Sequence, residues 1–158
     1  MSAPRPYRLL VVCTGNTCRS PMGEALLRRM LEEAGIEAEV RSAGTHAARG
    51  WPAHPLASAV ARDAGLELSS HRSQPLSREL LSWADTVLCM SGGHVDRARE
   101  LDDAADVRLV TDYDSDPSSD GVVDPIGQER EVYEKSFAAI ESSFNGFVAE
   151  LARGVRGG

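Results

Sequence analysis

The sequence predicts an α/β fold of three layers, α/β/α, with helices on both faces of a four-stranded parallel sheet. Three observations predict it. Strand-like runs recur at residues 9–12, 38–42, 86–90 and 107–110, and the first, Leu9-Leu10-Val11-Val12, is the all-apolar pattern of a strand buried on both faces. Each run is followed by a helical stretch, at residues 21–34, 56–64, 93–101 and 129–153, and such alternation implies right-handed crossovers between parallel strands. The chain has 158 residues and a mass of 17.0 kDa, 42% hydrophobic and 26% charged, which suits one globular domain over residues 1–158 with a core of its own.

After the first strand comes a polar loop bearing Gly15, then a helix with Met22, Ala25, Leu26 and Met30 at helical spacing. Pro21 suits its first turn, where a missing N–H costs nothing, and Gly35 suits its stop. The second helix ends at Gly65, and the third is polar. The last carries Tyr133, Phe137, Ile140, Phe144, Val148 and Leu151 on one face, with Gly146 inside it at a propensity cost of about 1 kcal/mol. No repeat or low-complexity block interrupts this order.

Lys and Arg number 17 against 24 Asp and Glu, a net charge of −7, with an isoelectric point near 5.1. That balance leaves no broad cationic face for nucleic acid, though a small focused site for an anion remains open. Three cysteines are too few for a disulfide scaffold, and the odd count suits a reducing compartment. Near the N-terminus only residues 9–13 run apolar without a break, too short for a signal-peptide core or a bilayer span. The expectation is a cytoplasmic protein with no membrane partner.

In doubly wound sheets ligands bind outside the carboxyl ends of the strands, which singles out the loop Cys13-Thr14-Gly15-Asn16-Thr17-Cys18-Arg19-Ser20. Gly15 and Asn16 tolerate positive φ and let successive amides turn inward as an anion nest. The following helix aims its positive end at the same point, and Arg19 can hold two phosphoryl oxygens with its planar fork. Cys13 then sits among donors beside a fixed cation, conditions that favour a thiolate facing phosphorus. Reading Cys13 as a small core residue leaves the register of strand, Gly, Arg and helix start unexplained. Neither the Walker spacing nor a dinucleotide fingerprint occurs.

Cys-x5-Arg-Ser directly after an N-terminal strand resembles the low-molecular-weight cysteine phosphatases. Ser42-Ala43-Gly44, Leu88-Cys89-Met90 and Asp124-Pro125 match further landmarks, so the likeness spans nearly the whole chain. The resemblance implies that Cys13 attacks, that Arg19 and the loop residues Thr14 to Ser20 hold the phosphoryl group, and that Asp124 protonates the leaving group. From position alone Asp124 reads equally well as a turn cap; a basic leaving atom does need a proton as its bond breaks. Ser20 reads as a donor to the Cys13 sulfur, as a helix cap, or as both. By resemblance Asn16, Ser42 and His71 brace the loop. Cys13 and Cys18, five positions apart, read as a redox pair in which one thiol traps the oxidised other.

Competing readings have weaker support. The acidic stretch from Asp112 to Asp120 tempts a metal reading, but Pro117 and Val123 stand where an EF-hand needs Gly and Glu. An aspartyl phosphatase reading of its Asp-x-Asp leaves the Cys13 loop without a role. His46, His54 and His94 lie scattered without ligand spacing, Cys89 reads as core, and no metal or cofactor is expected. An arsenate reductase needs further relay cysteines, and a phosphopeptide-binding module needs neither Cys13 nor Asp124.

Substrate choice rests on Thr17, Ile126, His46 and Trp51. Family tyrosine phosphatases place a bulky aliphatic residue at the position of Thr17 and an aromatic one at that of Ile126. Thr17 beside Asp124-Pro125-Ile126-Gly127 is similar instead to the bacterial protein-arginine phosphatases, while Trp51 offers a ring that keeps tyrosine phosphatase as the alternative. The expected partners are phosphorylated proteins, with inorganic phosphate as product.

Overall fold

The computed structural model describes residues 5–115 and 120–157. Four strands, β1 (Tyr7–Cys13), β2 (Ala38–Gly44), β3 (Thr86–Cys89) and β4 (Val107–Leu109), form one sheet in the order β2-β1-β3-β4, all parallel. Five α-helices accompany them: α1 (Arg19–Glu33), α2 (Pro55–Asp63), α3 (Arg78–Trp83), α4 (Gly92–Leu101) and α5 (Arg130–Gly157).

Alternation along β1 divides the core. Leu9 and Val11 face the layer of α1, α2 and α5, where Leu26, Leu27, Tyr133, Ile140 and Phe144 are buried. Leu10 and Val12 face the other layer, with Leu81 of α3 and Val95 and Ala98 of α4. The three-layer architecture expected from the sequence is the observed one. No helix among the described residues is long and apolar enough to cross a membrane.

The element boundaries differ in instructive places. α1 begins at Arg19, two residues before Pro21, because the chain turns into helix as soon as it leaves Cys18. α3 leaves no periodic signal in the sequence, because its six residues make under two turns, though Ser77 caps it by accepting from the Leu80 amide at 3.2 Å. Val110 belongs to a 3₁₀ turn, Val110–Tyr113, rather than to β4. The strand stops at Leu109 because β3, its one neighbour, offers pairing partners only from Val87 to Cys89. Of the acidic stretch weighed as a metal site, Asp116 and Pro117 lie outside the described residues.

This topology positions the site. β1 is followed by β2 on one side and flanked by β3 on the other, so the chain reverses direction across the sheet at the end of β1. Such a switch point opens a crevice above the strand ends, and Cys13 stands there.

Candidate active site

Cys13 ends β1 paired with Gly44, the last residue of β2. The close approach of the two loops requires that glycine: a Cβ at position 44 would lie 2.3 Å from the Thr14 carbonyl oxygen and 2.9 Å from the Asn16 amide. Amides of Thr45 and His46 donate to the carbonyls of Cys13 and Thr14, both at 2.9 Å, and tie the loop after β2 to the loop after β1.

Asn16 is the pivot of the Cys13 loop. Its φ of 58° is the one positive value at a non-glycine position among the described residues. Its fully buried side chain meets all its needs: Nδ2 donates to Ser20 Oγ at 2.7 Å and Ser42 Oγ at 2.9 Å, and Oδ1 accepts from the Gln74 amide at 2.9 Å. His71 Nε2–H donates to the Asn16 carbonyl at 2.7 Å. Because Ser20 Oγ accepts from Asn16, its own proton is free to point at Cys13 Sγ, 2.9 Å away. Meanwhile the backbone amides of Gly15, Asn16, Thr17 and Cys18 are bonded to no protein acceptor among the described residues. A run of unpaired amides at the start of a helix suits an anion.

Arg19 is buried, with 4% of its surface exposed. Nη1 donates to the Val122 carbonyl at 3.0 Å and Nη2 to Thr14 Oγ1 at 3.2 Å, while Asp124 Oδ2 stands 3.5 Å from Nη2. The Asp124 side chain is half exposed and its Oδ1 accepts from the Ile126 amide at 3.1 Å, which folds the Asp-Pro-Ile turn over the cleft. Together these enclose a cavity of about 150 Å³ with Cys13 in its lining and Thr17, Asp124 and Ile126 around it. His46 and Trp51 do not line that cavity; Trp51 is exposed and its backbone pairs with Ser73.

Three residues missed by sequence reasoning complete the surroundings. His94, set aside above as a scattered histidine, is buried with Nε2 at 2.8 Å from Thr14 Oγ1 and Nδ1 at 2.9 Å from Ser91 Oγ. Burial first, then the Arg19 charge, push its pKa down to about 4, so the ring is neutral at physiological pH. The signal that would have found it is its place just past the carboxyl end of β3. Tyr133, read from the sequence only as core, puts its hydroxyl 3.5 Å from Cys18 Sγ and stacks on His54. His54 in turn caps α2 by accepting from the Leu56 amide, and its own amide holds the Thr17 carbonyl at 2.8 Å. Burial raises the Cys18 thiol above its ordinary range. Cys89 is fully buried and its thiol is pushed up to about 12 by desolvation.

Among the described residues no group of three His, Cys, Asp or Glu side chains is arranged to hold a metal ion. The arrangement can bind a tetrahedral oxyanion over a sulfur nucleophile, with a carboxyl group at the mouth to move a proton.

Comparison with known proteins points the same way. A family model described as low molecular weight phosphotyrosine protein phosphatase matches residues 8–156. The chain is 40% identical over 147 residues to a protein-arginine-phosphatase of Geobacillus stearothermophilus, covering 92% of this chain and 97% of that one. It is 37% identical to a low molecular weight protein-tyrosine-phosphatase of Streptomyces coelicolor, covering 96% and 97%. The crystal structure of the Erwinia amylovora tyrosine phosphatase AmsI superposes with a TM-score of 0.83 at 28% identity, covering 95% and 96%.

Proposed function

The chain belongs to the low molecular weight phosphotyrosine protein phosphatase family, and within it we propose that this protein hydrolyses phosphoarginine residues of protein substrates through a phosphocysteine intermediate. The phosphoryl group lies on the amides of the Cys13 loop and the Arg19 guanidinium. Cys13 Sγ attacks phosphorus, the P–N bond breaks, and Asp124 gives its proton to the departing guanidine nitrogen. Water then attacks phosphocysteine while Asp124 takes the proton. The S–P bond breaks, and the Ser20 hydroxyl, aimed at Sγ, stabilises the departing sulfur. Asn16, Ser42 and His71 hold the loop in the conformation this requires.

One observation carries the substrate choice. Thr17 and Ile126 line the cavity over Cys13, so its wall offers a hydroxyl and a short aliphatic chain rather than a flat ring. A planar, polar, cationic leaving group accepts that wall and the nearby Asp124 carboxyl group better than a phenol does. The similarity to the Geobacillus arginine phosphatase supports the same reading. The tyrosine reading keeps its own support in the similarity to the Streptomyces tyrosine phosphatase. Three unpaired, buried cysteines fit work in the reducing cytoplasm.

The test is turnover of phosphoarginine and phosphotyrosine peptides side by side without added metal, with arsenate reduction as a third assay. Higher kcat/KM on phosphoarginine, abolished in Cys13→Ser while inorganic phosphate still binds, is the expected result. A requirement for Mg²⁺, substantial activity in Cys13→Ser, or a strong preference for phosphotyrosine overturns it.

A further inference from the structure

The loop side of the Cys13 cleft is braced by Asn16, Ser42 and His71, but the Arg19 side has a separate support, and it runs out to α4. Arg19 Nη2–H donates to Thr14 Oγ1 at 3.2 Å, and the same oxygen lies 2.8 Å from His94 Nε2. His94 Nδ1 is in turn 2.9 Å from Ser91 Oγ, beside the N-terminus of α4. A head-to-tail chain satisfies every member: Arg19 to Thr14, the Thr14 O–H to His94 Nε2, and His94 Nδ1–H to Ser91. The reverse sense would aim two N–H groups, one of them cationic, at a single hydroxyl oxygen. Aligned donors and acceptors polarise one another, whereas converging donors do not. Burial beside the Arg19 cation keeps the imidazole neutral, and a neutral ring is what an accepting Nε2 requires.

We propose that His94 is a positioning residue for the phosphatase reaction, acting through the Thr14 hydroxyl to keep Arg19 turned toward the phosphoryl group rather than drawn closer to Asp124. The need for such a device is local. Nη2 has two acceptors within reach, Thr14 Oγ1 at 3.2 Å and Asp124 Oδ2 at 3.5 Å. If Thr14 turns away, the carboxylate is the acceptor that remains. Arg19 and Asp124 then occupy one another, and both are lost to the substrate. Nη1, bonded to the Val122 carbonyl, fixes one branch of the fork and leaves rotation about that bond to be stopped by the other. Position 94 is 80 residues from Thr14 in the chain, so only the sheet order brings the two together.

This inference rests on the phosphatase reading, and the experiment separates the two. The competitive inhibition constant of inorganic phosphate and kcat/KM for an aryl phosphate are measured for wild type, Thr14→Val, Thr14→Ser, His94→Ala, His94→Gln and the Thr14→Val/His94→Ala double variant, with thermal melts on each. Thr14→Val and His94→Ala are each expected to weaken phosphate binding and lower kcat/KM by about tenfold, and the double variant by little more than either alone. Thr14→Ser keeps the hydroxyl and His94→Gln places an acceptor near the Nε2 position, so both recover part of the loss. ¹⁵N NMR of the wild-type ring is expected to show the proton on Nδ1. A proton on Nε2, additive losses near a hundredfold, or single variants with unchanged phosphate affinity overturn the relay. If the wild type itself neither binds phosphate nor cleaves the aryl ester, the phosphatase reading falls first.

Discussion

The Asp124 carboxylate faces the Arg19 guanidinium across 3.5 Å at the mouth of a cavity lined by Cys13, with Arg19 buried and Asp124 half exposed. The asymmetry suits the roles proposed for them: the cation is fixed by Val122 and Thr14, and the carboxylate, apart from facing Arg19, accepts a hydrogen bond from the Ile126 amide. A proton donor must reach a leaving atom outside the cavity, whereas an oxyanion holder must not move.

Replacing Asp124 with Asn keeps the size and the acceptor for Ile126 but removes the transferable proton. Turnover of a substrate with a basic leaving group is expected to fall by roughly 10²–10⁴. An activated aryl phosphate, whose leaving group departs without a proton, is expected to lose much less. Steady-state kinetics on the two substrates check this, and equal losses would make Asp124 a structural cap.

A second expectation concerns oxidation. Peroxide converts the Cys13 sulfur to a sulfenic acid; Cys18 sulfur then attacks it, water leaves, and a disulfide that thiols can reduce remains. Burial raises the Cys18 thiol above its ordinary range, so little of it is thiolate at neutral pH. Ring closure is therefore expected to quicken by about tenfold per pH unit as long as Cys18 remains mostly protonated. Cys89 is no competitor, being packed with Leu10 and Val12 on the far face of the sheet. Peptide mass spectrometry after peroxide at several pH values reads the bond directly. Full recovery of Cys18→Ala under thiol, or a link to Cys89, counts against it.

Much of this was legible in the chain, and the reasons differ by element. β1 announced itself because both faces of Leu9-Leu10-Val11-Val12 are buried, leaving no polar position to blur the run. The Cys13 loop was legible because the phosphoryl cradle proposed there is a local object, eight consecutive residues running from the last of β1 to the second of α1. What stayed hidden depends on contacts between distant residues. His94 meets Thr14, Tyr133 meets Cys18, and the Val122 carbonyl meets Arg19 only after the sheet has ordered its strands. Trp51 stood out in the sequence as the available ring, yet an exposed side chain anchored by its backbone does not line the cavity over Cys13.

Gly146 shows why propensity alone misleads. In the sequence it is a cost inside α5; in the structure a Cβ there would lie 2.0 Å from the Tyr113 carbonyl oxygen, so the helix and the 3₁₀ turn approach as only glycine allows. Gly146→Ala should therefore destabilise, by about 1–3 kcal/mol, although it improves helix propensity. Urea denaturation reads the sign. A more stable variant would mean that the turn shifts at no cost.

The last expectation concerns the wall of the cavity. Thr17 lines it, its carbonyl is held by the His54 amide at 2.8 Å, and its hydroxyl lies 3.9 Å from Cys18 Sγ, too long for a strong bond. That hydroxyl is thus available to a polar leaving group, and a guanidinium supplies donors for it where a phenol ring supplies none. Covering a hydroxyl without a partner costs about 1–3 kcal/mol, and an aliphatic wall carries the opposite penalty for a guanidinium. Thr17→Ile should accordingly lower kcat/KM on a phosphoarginine peptide and raise it on a phosphotyrosine peptide, shifting the ratio by at least about tenfold, or 1.4 kcal/mol. Because the backbone tie to His54 does not involve the side chain, the loop itself should keep its place, and phosphate inhibition should be little changed. A ratio that stays put while phosphate still binds would remove Thr17 from the specificity of this site and leave the tyrosine reading the stronger one.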